Sequence, residues 1–373
     1  QSCIMTKGIT FEHSIMEILL FKYKKDIVIV ANYQQAKSYD KYMETIEHMR
    51  KGVPIISQGV LHDYNRKLFG MPDLIVRSDW FNKLFGIKIN STKSGLSKGY
   101  HYRIIDIKYT SLILCSNGKY LRNSTKNIYA YKGQLYIYNK ILGSIQNYTP
   151  KKTYILGKKW SYQKGKETFS GSSFEKLAHI NYQNNDKFLR SKTSSAIKWI
   201  RKLNKKGHLW SLNPPSVPEL KPNMCNNDDK WSDFKKKLAY ETNDITELWM
   251  CNNINRHIAE NSGVKNWRTH KNLTSEMLGI KGDKVSATLQ LFIDMNQDSF
   301  ITEQENEKCI VPDKIKSNKY KWRKKNAMEF YVDFETIIPE ISNIENVIIF
   351  MIGVGVIING KWDFKCFIAD KLD

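Results

Sequence analysis

Asp73 ends the run Gly70-Met-Pro-Asp73 and leads into Leu-Ile-Val-Arg77. Asp106 and Lys108 lie inside Tyr102-Arg-Ile-Ile-Asp106-Ile-Lys108-Tyr109. Each acid sits on or beside a short β-branched run, the pattern of a strand in a covered sheet. Two carboxylates at the ends of paired strands make a hard oxygen site suited to Mg²⁺ or Mn²⁺. Side chains alternate along a strand, so Lys108 projects to the same side as Asp106. A metal, two carboxylates and an ammonium in one cleft are the groups that phosphodiester hydrolysis requires. Asp-x-Lys alone is weak, since Asp363-Phe-Lys365 also fits. The hydrophobic strand around Asp106 and the upstream Pro72-Asp73 set the first pair apart.

The positioning elements follow from periodicity. Helical spacing covers about 126–142, and Gln134 and Tyr138 at i and i+4 share one face of that helix. Gly8-Ile-Thr-Phe11-Glu12 opens an amphipathic helix with Ile15, Ile18, Leu19 and either Leu20 or Phe21 on its apolar side. Pro-Asp, a gap, Asp-x-Lys and then Gln-x-x-x-Tyr resemble the PD-(D/E)xK nuclease superfamily, in its RecB-like branch. That resemblance implies a restriction-endonuclease-like fold, in which Gln134 and Tyr138 lie near the active site and contact DNA or order the catalytic groups. It implies metal ligation by Asp73, Asp106, Glu12 and the carbonyl of Ile107, with Lys108 catalytic. Many relatives carry a His just before the first-helix acid. Phe11 stands there instead, which leaves the number of metal ligands open, and His13 is read as solvated.

The expected order is helix 8–24, strand 26–31, helix 34–50, strands 53–61, 71–77 and 102–109, helix 126–142, strand 153–156. Residues 49–73 are read as an edge hairpin that brings Asp73 into the cleft. This is an α/β chain with a mixed sheet flanked by helices. The expected divisions are a nuclease domain at 1–165, a mainly helical connecting region at 166–325, and part of a third domain at 326–373.

The 373 residues carry a net charge of +22 and a pI near 9.5, which favours a polyanionic partner. Basic clusters at Lys151-Lys152, Lys158-Lys159, Arg201-Lys202, Lys205-Lys206, 235–237 and 321–325 lie near Tyr154, Trp160, Trp199 and Trp322. Cations beside aromatics suit phosphate contact plus base stacking. Cys3, Cys115, Cys225, Cys251, Cys309 and Cys366 are far apart with no C-x-x-C pair. The close triplet that holds an iron–sulfur cluster in some RecB-like exonucleases is missing, so no cluster is expected. Scattered cysteines fit a reducing compartment. No apolar run reaches 18 residues and no signal-peptide pattern appears, so no membrane partner is expected. The expected location is intracellular: cytoplasmic, nuclear or a viral replication compartment. A chain opening at Gln1 is expected to be a piece of a longer protein.

In the middle, a helix is expected over 187–203 with Ala196, Ile197 and Ile200 inward. The Pro-rich stretch 212–222 is a linker. Helical spacing follows at 227–258, with Asn243 or Asp244 as a cap, and a cap-and-helix pattern at Asn272–Gly279. Near the end, Glu329-Phe-Tyr-Val-Asp333-Phe-Glu335-Thr336 resembles the first motif of DEDD 3′–5′ exonucleases of the RNase H-like fold. Alternation puts Asp333 and Glu335 on one face, suited to two-metal chemistry. Two further strands fit 348–358 and 362–368, and the later acidic motifs have no room before Asp373. The tandem order resembles predicted nucleases of bacteria and some large DNA viruses.

The expected function is Mg²⁺- or Mn²⁺-dependent hydrolysis of DNA in repair, recombination or processing. Single strands or free ends are the expected substrate, with a helicase or a replication or repair protein as partner. The alternatives are a catalytically inactive nucleic-acid-binding scaffold and an RNA endonuclease on the same fold.

Overall fold

A computed structural model describes residues 2–90, 94–97, 99–297, 328–337 and 348–370. Helix α1 (Ser2–Tyr23) buries Phe11, Ile15 and Leu19 at i, i+4 spacing. Phe21, one of the two residues considered for the apolar side, is 90% exposed because it lies off this stripe. Gly8 falls inside the helix rather than at its start.

After β1 (Ile27–Ile29), the helix expected from residue 34 is broken in two. Asn32 caps a single turn at Tyr33–Gln35, and Ser38 caps α2 (Tyr39–Lys51). Two good cap residues in close succession favour two short starts over one long one. The strand expected at 53–61 also divides, into β2 (Ile55–Ser57) and β3 (Leu61–Asp63). Gln58 between them takes φ 52°, and a Cβ on Gly59 would lie 2.7 Å from Ile75 Cδ1. β3 pairs with β4 (Leu68–Gly70) in a hairpin separate from the main sheet. β2 is therefore not an edge hairpin strand: it lies inside the sheet, between β1 and β5 (Leu74–Arg77).

Next come α3 (Trp80–Phe85), which no expected element covers, β6 (Tyr102–Ile113), α4 (Lys126–Ile145), β7 (Lys152–Lys164), β8 (Glu167–Ser172), β9 (Ala178–Asn181) and α5 (Phe188–Lys206). The main sheet runs β1-β2-β5-β6-β7-β8, with β9 also paired to β7. It is mixed: β1–β2 and β6–β7 are parallel and the other pairs antiparallel. The expected boundary at 165 falls in the turn between β7 and β8, which pair, so the sheet continues past it.

Alternation sorts the sheet into two cores. Ile56, Ile75, Ile104 and Ile155 pack with Met49 of α2 and Leu135, Ile141 and Leu142 of α4. Ile55, Leu74, Val76, Ile105, Ile107 and Leu156 pack with Phe11, Ile15 and Leu19 of α1 and Phe81 of α3. Burying both faces explains why these strands are continuously apolar rather than alternating. In α5 the buried residues are Leu189 and Thr193, whereas Ala196 and Ile200, expected inward, are exposed. The first turns of α5 pack where Thr193 Oγ1 approaches Gly133 of α4, and further along Arg201 donates to Arg66 O.

The chain divides into two compact units, residues 1–202 with 328–373, and residues 203–327. The second unit holds α6 (Ser232–Thr242), α7 (Asn253–Asn261) and α8 (Asp283–Asn296), with Leu248, Ala259, Trp267, Leu289 and Ile293 in its core. Asp244 caps a single turn, accepting from Thr246 N at 2.9 Å, rather than a long helix. Residues 272–279 form turns, not the expected helix. The final strands β10 (Phe330–Ile337), β11 (Ile348–Ile358) and β12 (Lys361–Ile368) form an antiparallel three-stranded sheet. A Cβ on Gly355 would lie 2.1 Å from the Trp362 ring, so this glycine makes room for a cross-strand aromatic.

Candidate active site

The site forms where β2 and β5 end against the longer β6. Ser57 pairs with Leu74, and Leu74 with Ile105, so the next residues of the three strands are Gln58, Asp73 and Asp106. Asp73 Oδ2 accepts a 2.6 Å hydrogen bond from Ile107 N. The amide and carbonyl of one strand residue open to the same strand edge, so the Ile107 carbonyl also faces the Asp73 side. Asp106 and Lys108 share the α4 face of β6. Lys108 Nζ lies 2.7 Å from Asp106 Oδ2 and 5.4 Å from the Tyr131 ring centroid.

Glu12 comes from the opposite layer, past the ends of β2 and β5. Its Oε1 accepts from Gln58 Nε2, and the same amide nitrogen is 3.4 Å from Asp73 Oδ1. Gln58 thus bridges two of the expected metal ligands, and its backbone N donates to Asp73 O at 3.0 Å. A non-glycine residue at φ 52° is strained. The sequence reading missed it. The one local signal is Ser57-Gln58-Gly59, which interrupts an otherwise apolar run.

From α4, Gln134 Nε2 donates to Tyr138 Oη at 2.7 Å, so the pair shares a face as expected. Tyr138 also closes on the hairpin. A Cβ on Gly70 would lie 2.2 Å from Tyr138 Cε1 and 2.3 Å from Cδ1. Gly70 ends β4 three residues before Asp73, and its missing side chain lets α4 approach.

The electrostatics are those of crowded acids with one cation. Burial, then Asp106 and Glu12, push the Asp73 carboxyl well above its usual range. Burial raises Asp106 too, and Lys108 and a side-chain interaction with Asp73 oppose this. Burial raises Glu12, with His13 and Lys108 pulling against it. For Lys108, burial works against the charged form, but Asp106 and Asp73 outweigh it and the ammonium is held above its usual range.

The donors form a hard, all-oxygen set, and one buried carboxylate oxygen has an ion pair but no well-directed hydrogen bond. Asp106 is 1% exposed, and its Oδ2 accepts no well-directed hydrogen bond despite the nearby ammonium. Both features fit Mg²⁺ or Mn²⁺. Among the described residues, no three His, Cys, Asp or Glu side chains converge closely enough to hold a metal as they stand. The Gln58 amide lies between Glu12 and Asp73.

His13 is exposed, as expected. Asp333 and Glu335 lie on the exposed β10, two residues apart, where Asp333 Oδ1 accepts from Phe334 N at 3.0 Å. Two of the aromatics expected to stack bases are core residues: Tyr154 is 1% and Trp160 8% exposed, because β7 is covered on both faces. Trp322, Cys309 and the basic run 321–325 lie outside the described residues. A different aromatic group is open to solvent. Tyr64 packs 6.0 Å from Tyr39, 5.9 Å from Tyr42 and 5.3 Å from His62, and Lys37 lies 5.0 Å from the Phe69 ring. This group joins α2 to the β3–β4 hairpin that leads into Asp73. Among the described residues no helix is long and apolar enough to cross a membrane.

No protein-family model and no curated protein matches the chain.

Proposed function

We propose that the chain is a Mg²⁺- or Mn²⁺-dependent nuclease of the PD-(D/E)xK superfamily, RecB-like branch, that hydrolyses DNA phosphodiester bonds. The observation that supports this most is the meeting of Asp73, Asp106, Lys108 and Glu12 at one sheet end beside the Gln134–Tyr138 pair. The mixed sheet with α1 and α4 on opposite faces agrees with a restriction-endonuclease-like arrangement.

Asp73 and Asp106 would hold the ion, with Glu12 and the Ile107 carbonyl. When bound, such an ion lowers the pKa of a water and neutralises charge on the scissile phosphate. Lys108, held protonated by two carboxylates, would orient the attacking water or stabilise negative charge growing on the phosphate oxygens. Gln58 would keep Glu12 and Asp73 apart until the ion enters. Gln134 and Tyr138 would position the strand, and the exposed Tyr39, Tyr64 and Phe69 would stack unpaired bases. Asp333 and Glu335 would be the first pair of a partial RNase H-like site.

The second reading is a nucleic-acid-binding scaffold without turnover. It is favoured by the buried Phe11 where relatives carry a His. Incubation of end-labelled single- and double-stranded DNA and RNA with Mg²⁺, Mn²⁺ or EDTA separates these. DNA cutting that EDTA stops, leaving 5′-phosphates, is expected. Preferred cutting of RNA would move the assignment to an RNA endonuclease, and binding without cutting to the scaffold.

A further inference from the structure

A second polar centre lies on the other face of β6. Arg103 alternates with Asp106 and points into the layer of α1 and α3, with only 9% of its surface exposed. Its Nε donates to His101 Nε2 at 2.9 Å, and one terminal nitrogen donates to Tyr154 Oη at 3.0 Å. An imidazole nitrogen that accepts carries no proton, so neither acceptor brings a negative charge. Among the described residues no carboxylate pairs with this guanidinium. A buried cation without a counter-charge is costly, and proteins rarely keep one without a use.

A cavity of about 730 Å³ opens on Arg103. Lys88, Lys119, Lys151, Lys152 and Lys176 line it with Arg103, against one carboxylate, Glu175. Over the whole chain basic residues outnumber acidic ones by only 59 to 37, so the imbalance here is local. Glu175 is engaged by Ser172 Oγ at 3.1 Å. Lys152 and Lys176 contact the rings of Tyr120 and Trp160, at 5.4 and 5.0 Å, rather than acids. His179 also lines the cavity, and its buried Nδ1 has no partner. Burial, then Lys152, Lys119 and Arg103, lower the His179 pKa to about 4. Burial is the larger part of that shift, and the cations beside His179 add a positive field that attracts an anion. The volume is that of a small-molecule site, and Phe85, Tyr120 and Tyr148 add aromatic surface that a bare polyphosphate would leave unused.

We propose that this cavity binds a nucleoside di- or triphosphate, with Arg103, Lys119 and Lys152 on the phosphates and the base against the aromatic wall. The same phosphate chemistry could reach the cavity on the end of a nucleic-acid strand, and the test distinguishes the two sources.

The full chain is titrated calorimetrically with ATP in EDTA, beside Asp106→Asn and the double variant Lys119→Glu/Lys152→Glu. Both lysines sit at the cavity rim, so folding is checked by near-UV circular dichroism while Arg103 is left in place. Saturable one-to-one binding is expected, unchanged in Asp106→Asn and weakened by about tenfold or more in the double variant. ADP is expected to bind more weakly than ATP, and adenosine not measurably. Tripolyphosphate and a 5′-triphosphorylated oligonucleotide should each compete less well than ATP. The proposal is overturned by an absence of saturable ATP binding, or by binding that the folded double variant retains in full. Tripolyphosphate equal to ATP would reduce the cavity to a general polyanion site. An oligonucleotide end that outcompetes ATP would assign it to nucleic acid. Either result also overturns the nucleotide assignment.

Discussion

Gly70→Ala isolates the contact between the hairpin and α4. The added methyl carbon would lie 2.2 and 2.3 Å from two ring carbons of Tyr138, where contact normally begins near 3.5 Å. The φ of Gly70 is not positive, so alanine adds no backbone strain, and the whole penalty comes from the ring. Tyr138 is hemmed in by its hydrogen bond to Gln134 and cannot swing freely. Overpacking of this kind costs about 1–3 kcal/mol. On a Tyr138→Ala background the clash is gone, and the lost unfolded-state entropy should make Gly70→Ala stabilising by about 0.4–1 kcal/mol. The effect of one substitution therefore changes sign with the residue at 138. Urea unfolding of the native chain, both single variants and the double variant gives this coupling directly. Activity should fall in Gly70→Ala as Tyr138 and Gln134 are displaced. Equal effects of Gly70→Ala on the two backgrounds would refute the close approach on which the placement of Gln134 and Tyr138 rests.

Lys132 of α4 is fully buried, with Nζ at 2.7 Å from Leu121 O, 2.8 Å from Asn123 Oδ1 and 2.6 Å from Asp186 Oδ1. Lys132→Met strands the Asp186 charge and should cost about 3–5 kcal/mol in denaturant unfolding, with Asp186→Asn recovering part of it in the double variant. His179 has a folded pKa of about 4 against an unfolded value of 6.5, so the unfolded chain takes up the proton first as pH falls. Stability from this group is full above pH 6.5 and is lost by up to about 3 kcal/mol as pH falls towards 4. The difference in stability between the native chain and His179→Gln across that range should show the slope, and a difference independent of pH would contradict it. Tyr39→Ala/Tyr64→Ala should weaken single-stranded oligonucleotide binding, measured by fluorescence anisotropy, by about 1–3 kcal/mol per stacked base and leave duplex binding nearly unchanged.

What the sequence revealed was mostly local periodicity. Strand alternation put Asp106 and Lys108 on one face, and the i, i+4 rule joined Gln134 to Tyr138, because both depend on backbone geometry alone. Gln58 escaped notice because its role comes from where β2 stops against β5, which is a tertiary fact. Lys132 and Arg103 look like ordinary solvated cations until the sheet buries them. Tyr154 and Trp160 looked like stacking residues, yet strands on both sides of β7 and a second layer of helices cover them. Apolar spacing alone points Ala196 and Ile200 of α5 inward, but the buried residues of that helix are Leu189 and Thr193, one and two turns earlier.

The most direct measurement pairs Mn²⁺ binding with cleavage of end-labelled DNA in the native chain, Asp106→Ala and Lys108→Met. The native chain is expected to bind Mn²⁺ and cut. Asp106→Ala should lose metal binding and cutting together while still binding DNA, because the basic surface would supply most of that affinity. Lys108→Met should keep the metal and lose turnover. Undiminished cutting by Asp106→Ala, or a native chain that neither binds Mn²⁺ nor cuts, would contradict a metal-dependent nuclease built on Asp73, Asp106, Lys108 and Glu12.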